Sequence, residues 1–523
     1  MKLNKYFWIF LFASIFLIIS GIINYNSLFG QWGTALLWGT HGWSWDPGAS
    51  YLAAGITFFS EEYVFWVGHP GHTLMFLIQI VSWILYLVTA GSHHFSVSFE
   101  TFAAKNIALL IIVTKTFMSV IYLLSGYVMY VFALKITEKK EVALLSAIAC
   151  LTTFPVLFYF NVISADILML MFALLAFLCI WKSYDEAGRG GLKFYAWLVL
   201  SALTTALALC TKLMIAAPLI IFIPAYLFLY SDENVRLSIN KRLKYFLYFL
   251  LFLIFFTIII GWKVNWIKFF RYWSNHTPND REYLLSASVS LSAKMIHTSI
   301  NLIKAIASGI ILFFTPKRNP YWLFVIAEFL FFMLSVLGFY KFWKTETGKK
   351  KRLIWLLIFV FMFTPVFLYT HFWHYVFVHM AIFSIFFSYF VWTAVDGKFA
   401  SFSNSRKIVI CVAVILLVHS FSIYLVADSK LNSIRKYKNW KPYYDALSKI
   451  NYNEKIGLVN PPDFLNIFGY IFTFTSKSSN FNNELKHFFV SLDGLDEKTL
   501  KKKMAEENIR IVLYGNGNND AEK

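Results

Sequence analysis

Apolar runs of about 20 residues, the length that crosses a bilayer, recur along the chain and alternate with short polar, often basic, segments. The first run, Tyr6 to Ile23, follows Lys2 and Lys5. It is long for a signal peptide, and Asn24-Tyr25-Asn26 follows without a small-residue cleavage pattern, so an uncleaved first transmembrane helix is expected. Further spans are predicted near 106–134, 141–160, 166–181, 194–211, 213–230, 245–262, 321–340, 353–370, 375–394 and 408–427, about eleven in all. Basic short loops mark the cytoplasmic side. They are Lys135 to Lys140, the loop 182–193, the loop 231–244 with Arg236, Lys241, Arg242 and Lys244, and above all Lys341 to Arg352.

This threading leaves two long external loops, 29–105 and 263–320. Residues 72–90 are apolar enough to span. A crossing there would put the Lys135–Lys140 loop outside, so an embedded or re-entrant helix is expected instead. An apolar helix near 296–314 has no assigned placement. In residues 48–60, Leu52, Ile56 and Phe59 share one helical face, which predicts a helix lying on the membrane surface.

From Asp428 the composition changes. A helix is predicted over Tyr443–Ile450, a strand over Lys455–Val459, a turn at Pro461-Pro462, a strand over His487–Leu492, a helix over Lys498–Glu507 and a strand over Ile509–Tyr514. The expected fold class is therefore an α-helical polytopic membrane protein. Residues 1–427 form its transmembrane domain, and 428–523 form a small external α/β domain.

Composition agrees. The chain is 59% hydrophobic, 20% aromatic and only 14% charged, with mean hydropathy +0.61. A soluble domain of 523 residues could not hide so much apolar surface. The net charge of +19 falls largely in the short basic loops, which argues against nucleic acid as its partner. Cys150, Cys179, Cys210 and Cys411 all lie in apolar spans and are expected as small core residues, not as disulfides or a zinc set.

The same threading places polar residues at membrane boundaries on one side. Asp46, Glu61, Glu62, His69 and His72 lie in the first loop, and Asn161, Ser164 and Asp166 between two spans. Thr211-Lys212 divides two others; Lys263, Lys268, Arg271 and Arg281 lie in the second loop, and His371 and His374 before a late span. Ionisable groups at membrane depth are expensive and mark function, so one cleft on the outer face is expected. Plainer roles stand beside this one. Asp46-Pro47 fits a helix N-cap followed by Pro at N1. Asp166 suits a helix first turn, and Lys212 could snorkel to the headgroups. Glu61 and Glu62 could be a solvated edge, and His371-Phe372-Trp373-His374-Tyr375 an interfacial belt. No acidic or Cys partner supports a metal site at His371 and His374.

Taken in order, the motifs resemble GT-C-type membrane glycosyltransferases of the protein O-mannosyltransferase and aminoarabinose-transferase kind. Asp46 resembles the first-loop aspartate and Gly68-His69-Pro70 the His-Pro element. Ser164-Ala165-Asp166 resembles the Asp-containing fourth helix, Leu209-Cys210-Thr211-Lys212 the Leu-x-Thr-Lys element, and His374-Tyr375 the late Arg/His-Tyr element. Two departures bear on substrate and metal: Pro47 stands where many relatives carry an acidic residue, and Gly71 where many carry a second proline.

The resemblance implies transfer of a sugar from a polyprenyl-phosphate donor to an acceptor hydroxyl of a lipid, glycan or protein. The implied setting is the periplasmic or exterior face of a bacterial inner membrane. A carboxylate base is required, as are fixed cations at the leaving phosphate. Asp46 is the expected base, with His69 and Asp166 shaping the site. Lys212, Arg271 and Arg281 are expected at the donor phosphate, with Glu62, His374 and Tyr375 in support. No cofactor is required by this scheme, and a divalent metal is left open. Two other classes compete: a polytopic transporter or lipid flippase, and a polysaccharide polymerase or ligase. The former favours repeated halves and midplane polar sites, neither of which the sequence contains. The latter would leave Asp46 and His69 without a role.

Overall fold

The computed structural model describes residues 48–59, 71–90, 98–160, 162–187, 191–212, 238–267, 322–345, 377–437, 455–459, 489–492 and 495–514. The spans predicted at 6–23, 213–230 and 353–370 and the helices at 296–314 and 443–450 lie outside them.

Among the described residues, twelve helices precede the first strand. In chain order they are α1 (Gly48–Ile56), α2 (His72–Ala90), α3 (Phe99–Lys105), α4 (Ile107–Thr137), α5 (Lys140–Thr152), α6 (Phe154–Phe158), α7 (Ala165–Ala187), α8 (Leu192–Thr211), α9 (Ile239–Ile260), α10 (Trp322–Thr345), α11 (Phe377–Lys398) and α12 (Asn404–Tyr437). Among the described residues, six stretches are long and apolar enough to cross a membrane: His72–Thr89, Val113–Thr137, Ala165–Ala187, Leu192–Thr211, Ile239–Ile260 and Val378–Lys398. The protein is an integral, multi-pass membrane protein.

Helix α7 is the hub. It is buried on nearly every face and packs against α4 and α8. Helix α9 lies on the far side of α8, and α5, α10, α11 and α12 form the other flank. Helices α10 and α11 approach closely at Gly338, where a Cβ would lie 1.9 Å from the Phe386 carbonyl oxygen. All four cysteines are free and buried, as expected of small core residues.

One end of the bundle gathers the basic loops. Lys135 on α4 pairs with Asp185 on α7 at 2.5 Å. Lys139 stands 4.9 Å from the Tyr389 ring, and the Tyr389 hydroxyl bonds Thr345 at 2.8 Å. Asn404 donates to Glu141 at 3.3 Å, and Lys407 pairs with Asp396 at 2.7 Å. Phe194 and Tyr245, near the starts of α8 and α9, meet at 4.2 Å.

Three local findings refine the expected helices. The span predicted at 141–160 breaks at Thr153, whose backbone is extended (φ −60, ψ 144). Pro155 explains this: it has no N–H to continue α5, but suits the first turn of the short α6. The surface helix predicted over 48–60 is instead packed inside the protein. Tyr51, Leu52, Ala54, Ile56 and Phe58 are all buried, and among the three residues proposed for its membrane face only Phe59 is exposed. Gly55 permits this packing, because a Cβ there would meet Ile78 of α2 at 2.6 Å.

Helix α2 stays at the end of the bundle away from Lys135 and Asp185. Its first turn docks on the last turn of α8. Farther along, Trp83 stacks on Phe99 at 4.7 Å and Tyr86 meets Phe102 at 5.4 Å. Those partners precede the start of α4, whose 31 residues hold it roughly 46 Å from the Lys135 end.

Near the C-terminus, β1 (Lys455–Val459), β2 (Phe489–Ser491) and β3 (Ile509–Tyr514) form a parallel sheet in the order β2-β1-β3. Helix α13 (Glu497–Glu506) connects β2 to β3, and Asp496 caps it by accepting the Thr499 N–H at 2.8 Å.

Candidate active site

The end of the bundle opposite the basic loops brings together four distant chain segments. The first is the start of α7. The Ser164 hydroxyl donates to Asp166 Oδ2 at 2.5 Å and accepts the Asp166 backbone N–H at 3.3 Å, a local turn that fixes the carboxylate. The second is the end of α8. Lys212 caps that helix with extended backbone (φ −153, ψ 87), and its ammonium donates to Asp166 Oδ1 at 2.8 Å. Both side chains of this ion pair are fully buried, with 0% exposure each. Each carboxylate oxygen thus has its own donor, a condition for keeping a charge out of water.

The third segment is the start of α2. Gly71 adopts φ +55, and a Cβ there would lie 2.4 Å from Tyr51 Cε1, so both backbone and space favour glycine. Its N–H donates to the Thr211 carbonyl at 3.1 Å, and the Thr73 hydroxyl donates to the Leu207 carbonyl at 3.2 Å. The first of these bonds satisfies a carbonyl that the end of α8 would otherwise leave open, and the second adds to a Leu207 carbonyl that already accepts the Thr211 hydroxyl at 2.6 Å. They also fasten the turn after His69-Pro70 to the residue that precedes Lys212.

The fourth segment follows α9. Lys263 is buried and donates to the Phe58 carbonyl. Its ammonium stands 5.3 Å from the Phe58 ring and 4.9 Å from the Trp262 ring. His72 meets Phe58 edge-on at 4.7 Å. Gly261 allows α9 to close on α8, because a Cβ there would lie 3.3 Å from Cys210 Sγ.

Of the site residues expected from sequence, Asp166 and Lys212 are described, and they meet directly. Asp46, Glu62, His69, Arg271, Arg281, His374 and Tyr375 lie outside the described residues. In sequence, His69 stands two residues before Gly71, Asp46 two before α1, and Tyr375 two before α11. Sequence reasoning gave Ser164, His72 and Lys263 a side of the membrane but no partner. The Ser-x-Asp spacing at a helix start was a usable signal for Ser164, whereas nothing local announces the Lys263–Phe58 contact. Among the described residues no three His, Cys, Asp or Glu side chains gather as a metal set.

Residues 69–273 match the family model of dolichyl-phosphate-mannose-protein mannosyltransferases. This is a family of membrane glycosyltransferases, and the match covers less than half of the chain. The segment runs from His69 through Asp166 and Lys212 to just past Arg271, so it contains all four of these segments, while α1 lies before it. No curated protein matches the chain.

Proposed function

We propose that this chain, carrying a GT-C mannosyltransferase-family domain over residues 69–273, moves a sugar from a polyprenyl-phosphate donor to an acceptor hydroxyl on the outer face of the membrane. The observation that carries the reading is the meeting of Gly71, Asp166, Lys212 and Lys263 at the end of the bundle remote from the basic loops. Lys135, Lys139, Lys182, Lys244, Lys344 and Lys407 sit in or beside loops at the other end, the charge bias of a cytoplasmic face. The polar end is then external, and the C-terminal sheet is read as part of a small α/β domain on that side.

In this scheme the acceptor oxygen attacks the anomeric carbon. Asp46 takes the hydroxyl proton, the bond to the lipid phosphate breaks, and the phosphate leaves with the bonding electrons. Arg271, Arg281 and Lys212 stabilise the charge that develops on it. Asp166 orients Lys212, an ammonium with three donors of which one is committed to the Asp166 carboxylate. His69 is assigned a role in shaping the site. Glu62, His374 and Tyr375 complete the wall, and the lipid tail stays in the bilayer. The test is transfer from a labelled polyprenyl-phosphate sugar by the purified full chain with lipid, glycan and protein acceptors. Transfer to any of them, with release of the polyprenyl phosphate, is the expected result. Absence of transfer from every such donor would remove the reading.

A further inference from the structure

His72 is the first residue of α2, and only 1% of it is exposed. Among the described residues, neither of its ring nitrogens has a hydrogen-bond partner. An imidazole carries a donor and an acceptor in either neutral tautomer, or two donors when charged, and burying these unmet is a standing penalty. The penalty disappears if a ligand supplies the partner.

The surroundings indicate what kind of ligand. The ring sits at the N-terminus of a 19-residue helix, where first-turn N–H groups and the helix dipole favour negative charge. Lys263 brings an ammonium 5.3 Å from the Phe58 ring that His72 also meets. Directly beside them, Phe59, Phe76 and Trp262 are 52%, 38% and 58% exposed, an apolar rim on the protein's surface. An anionic head with an apolar tail fits both features. We propose that His72 binds the phosphate of the isoprenoid carrier, with the tail leaving over the Phe59, Phe76 and Trp262 rim.

This rests on the donor class proposed above, and the two can fail separately. The probes are a polyprenyl phosphate, the matching uncharged polyprenol and inorganic phosphate, titrated into the full chain in one fixed detergent–lipid mixture. The variants are His72→Phe, which keeps the ring and removes both nitrogens, and His72→Gln, which keeps one donor. Without probe, His72→Phe is expected to melt at or above the wild-type temperature, because it removes unmet polar atoms. Its affinity for the polyprenyl phosphate should fall at least about tenfold, the scale of one hydrogen bond to a charged group. His72→Gln should fall less, and the polyprenol should bind all three proteins alike.

Unchanged polyprenyl phosphate affinity in His72→Phe overturns the inference, and so does an equal loss for the polyprenol. A raised KM for the sugar donor with unaltered carrier affinity would assign the imidazole to the sugar and overturn it as well. The same His72-dependent response to inorganic phosphate alone would overturn the lipid assignment. If His72→Phe does not fold, His72→Gln carries the same comparison. Failure of the wild-type chain to bind the polyprenyl phosphate would instead strike the donor class itself.

Discussion

Removing either partner of the Asp166–Lys212 pair should damage folding before it damages chemistry. Both side chains have 0% exposure and meet at 2.8 Å, so water and salt do not screen the interaction. Among the described residues, Lys212→Met leaves the buried Asp166 carboxylate with the Ser164 hydroxyl as its remaining side-chain donor. Breaking a fully buried pair from one side costs about 3–5 kcal/mol. Asp166→Leu takes the carboxylate partner from the buried ammonium and should also destabilise the fold. The double variant Asp166→Leu/Lys212→Met has no charge to strand, and replacing a whole buried pair by apolar groups is often neutral or stabilising. The double-mutant cycle should therefore show favourable coupling of about 3–5 kcal/mol. Unfolding in a fixed detergent, followed by tryptophan fluorescence at two salt concentrations, gives all four corners. Coupling should survive high salt. Additive single effects, or a Lys212→Met protein as stable as wild type, would refute the argument. The same result governs activity: transfer by Lys212→Met is interpretable only per folded molecule.

The other predictions concern the frame around the site. Gly338→Ala drives a Cβ into the Phe386 backbone carbonyl, so the α10–α11 contact must open at a cost of about 1–3 kcal/mol or more, read as a lowered melting temperature. Gly71→Ala combines positive φ with a clash on Tyr51 and should loosen the turn behind His69, seen as faster proteolysis of the 60–71 segment at unchanged overall helicity. Ser164→Ala removes a hydrogen bond to a buried carboxylate and should lower stability by about 1.5–3 kcal/mol. A reporter fused after Tyr514 should be active only outside the cytoplasm, and cytoplasmic activity would invert the assigned faces.

Long, uniformly apolar elements were legible in the sequence because bilayer thickness sets their length. The predicted 166–181, 194–211 and 245–262 lie within or across α7, α8 and α9. Local exceptions were less legible. Pro155 announced a break after Thr153, but the unbroken hydropathy of 141–160 outweighed it. The 48–60 face pattern looked amphipathic because Leu52, Ile56 and Phe59 align. Burial of Tyr51, Leu52, Ala54 and Ile56 depends on a glycine, Gly55, meeting Ile78 more than twenty residues away. The site shows the same division. Membrane sidedness put Asp166 and Lys212 on one face, but their pairing across 46 positions is a tertiary fact that no periodicity carries. His72 was visible as a polar residue in an apolar context. That both of its nitrogens lack partners among the described residues is a property of packing alone.

The central claim is sugar transfer from a polyprenyl-phosphate donor with Asp46 as base, and its most direct measurement compares wild type with Asp46→Asn. The amide keeps the size and most of the capping ability of the carboxylate but cannot take the proton. The assay follows release of polyprenyl phosphate and appearance of glycosylated acceptor in equal amounts, with melting temperature as the folding control. The account predicts equimolar products from wild type and a transfer rate at least about 100-fold lower in Asp46→Asn at unchanged melting temperature. Near-normal transfer by Asp46→Asn would contradict it and leave Asp46 as a helix cap.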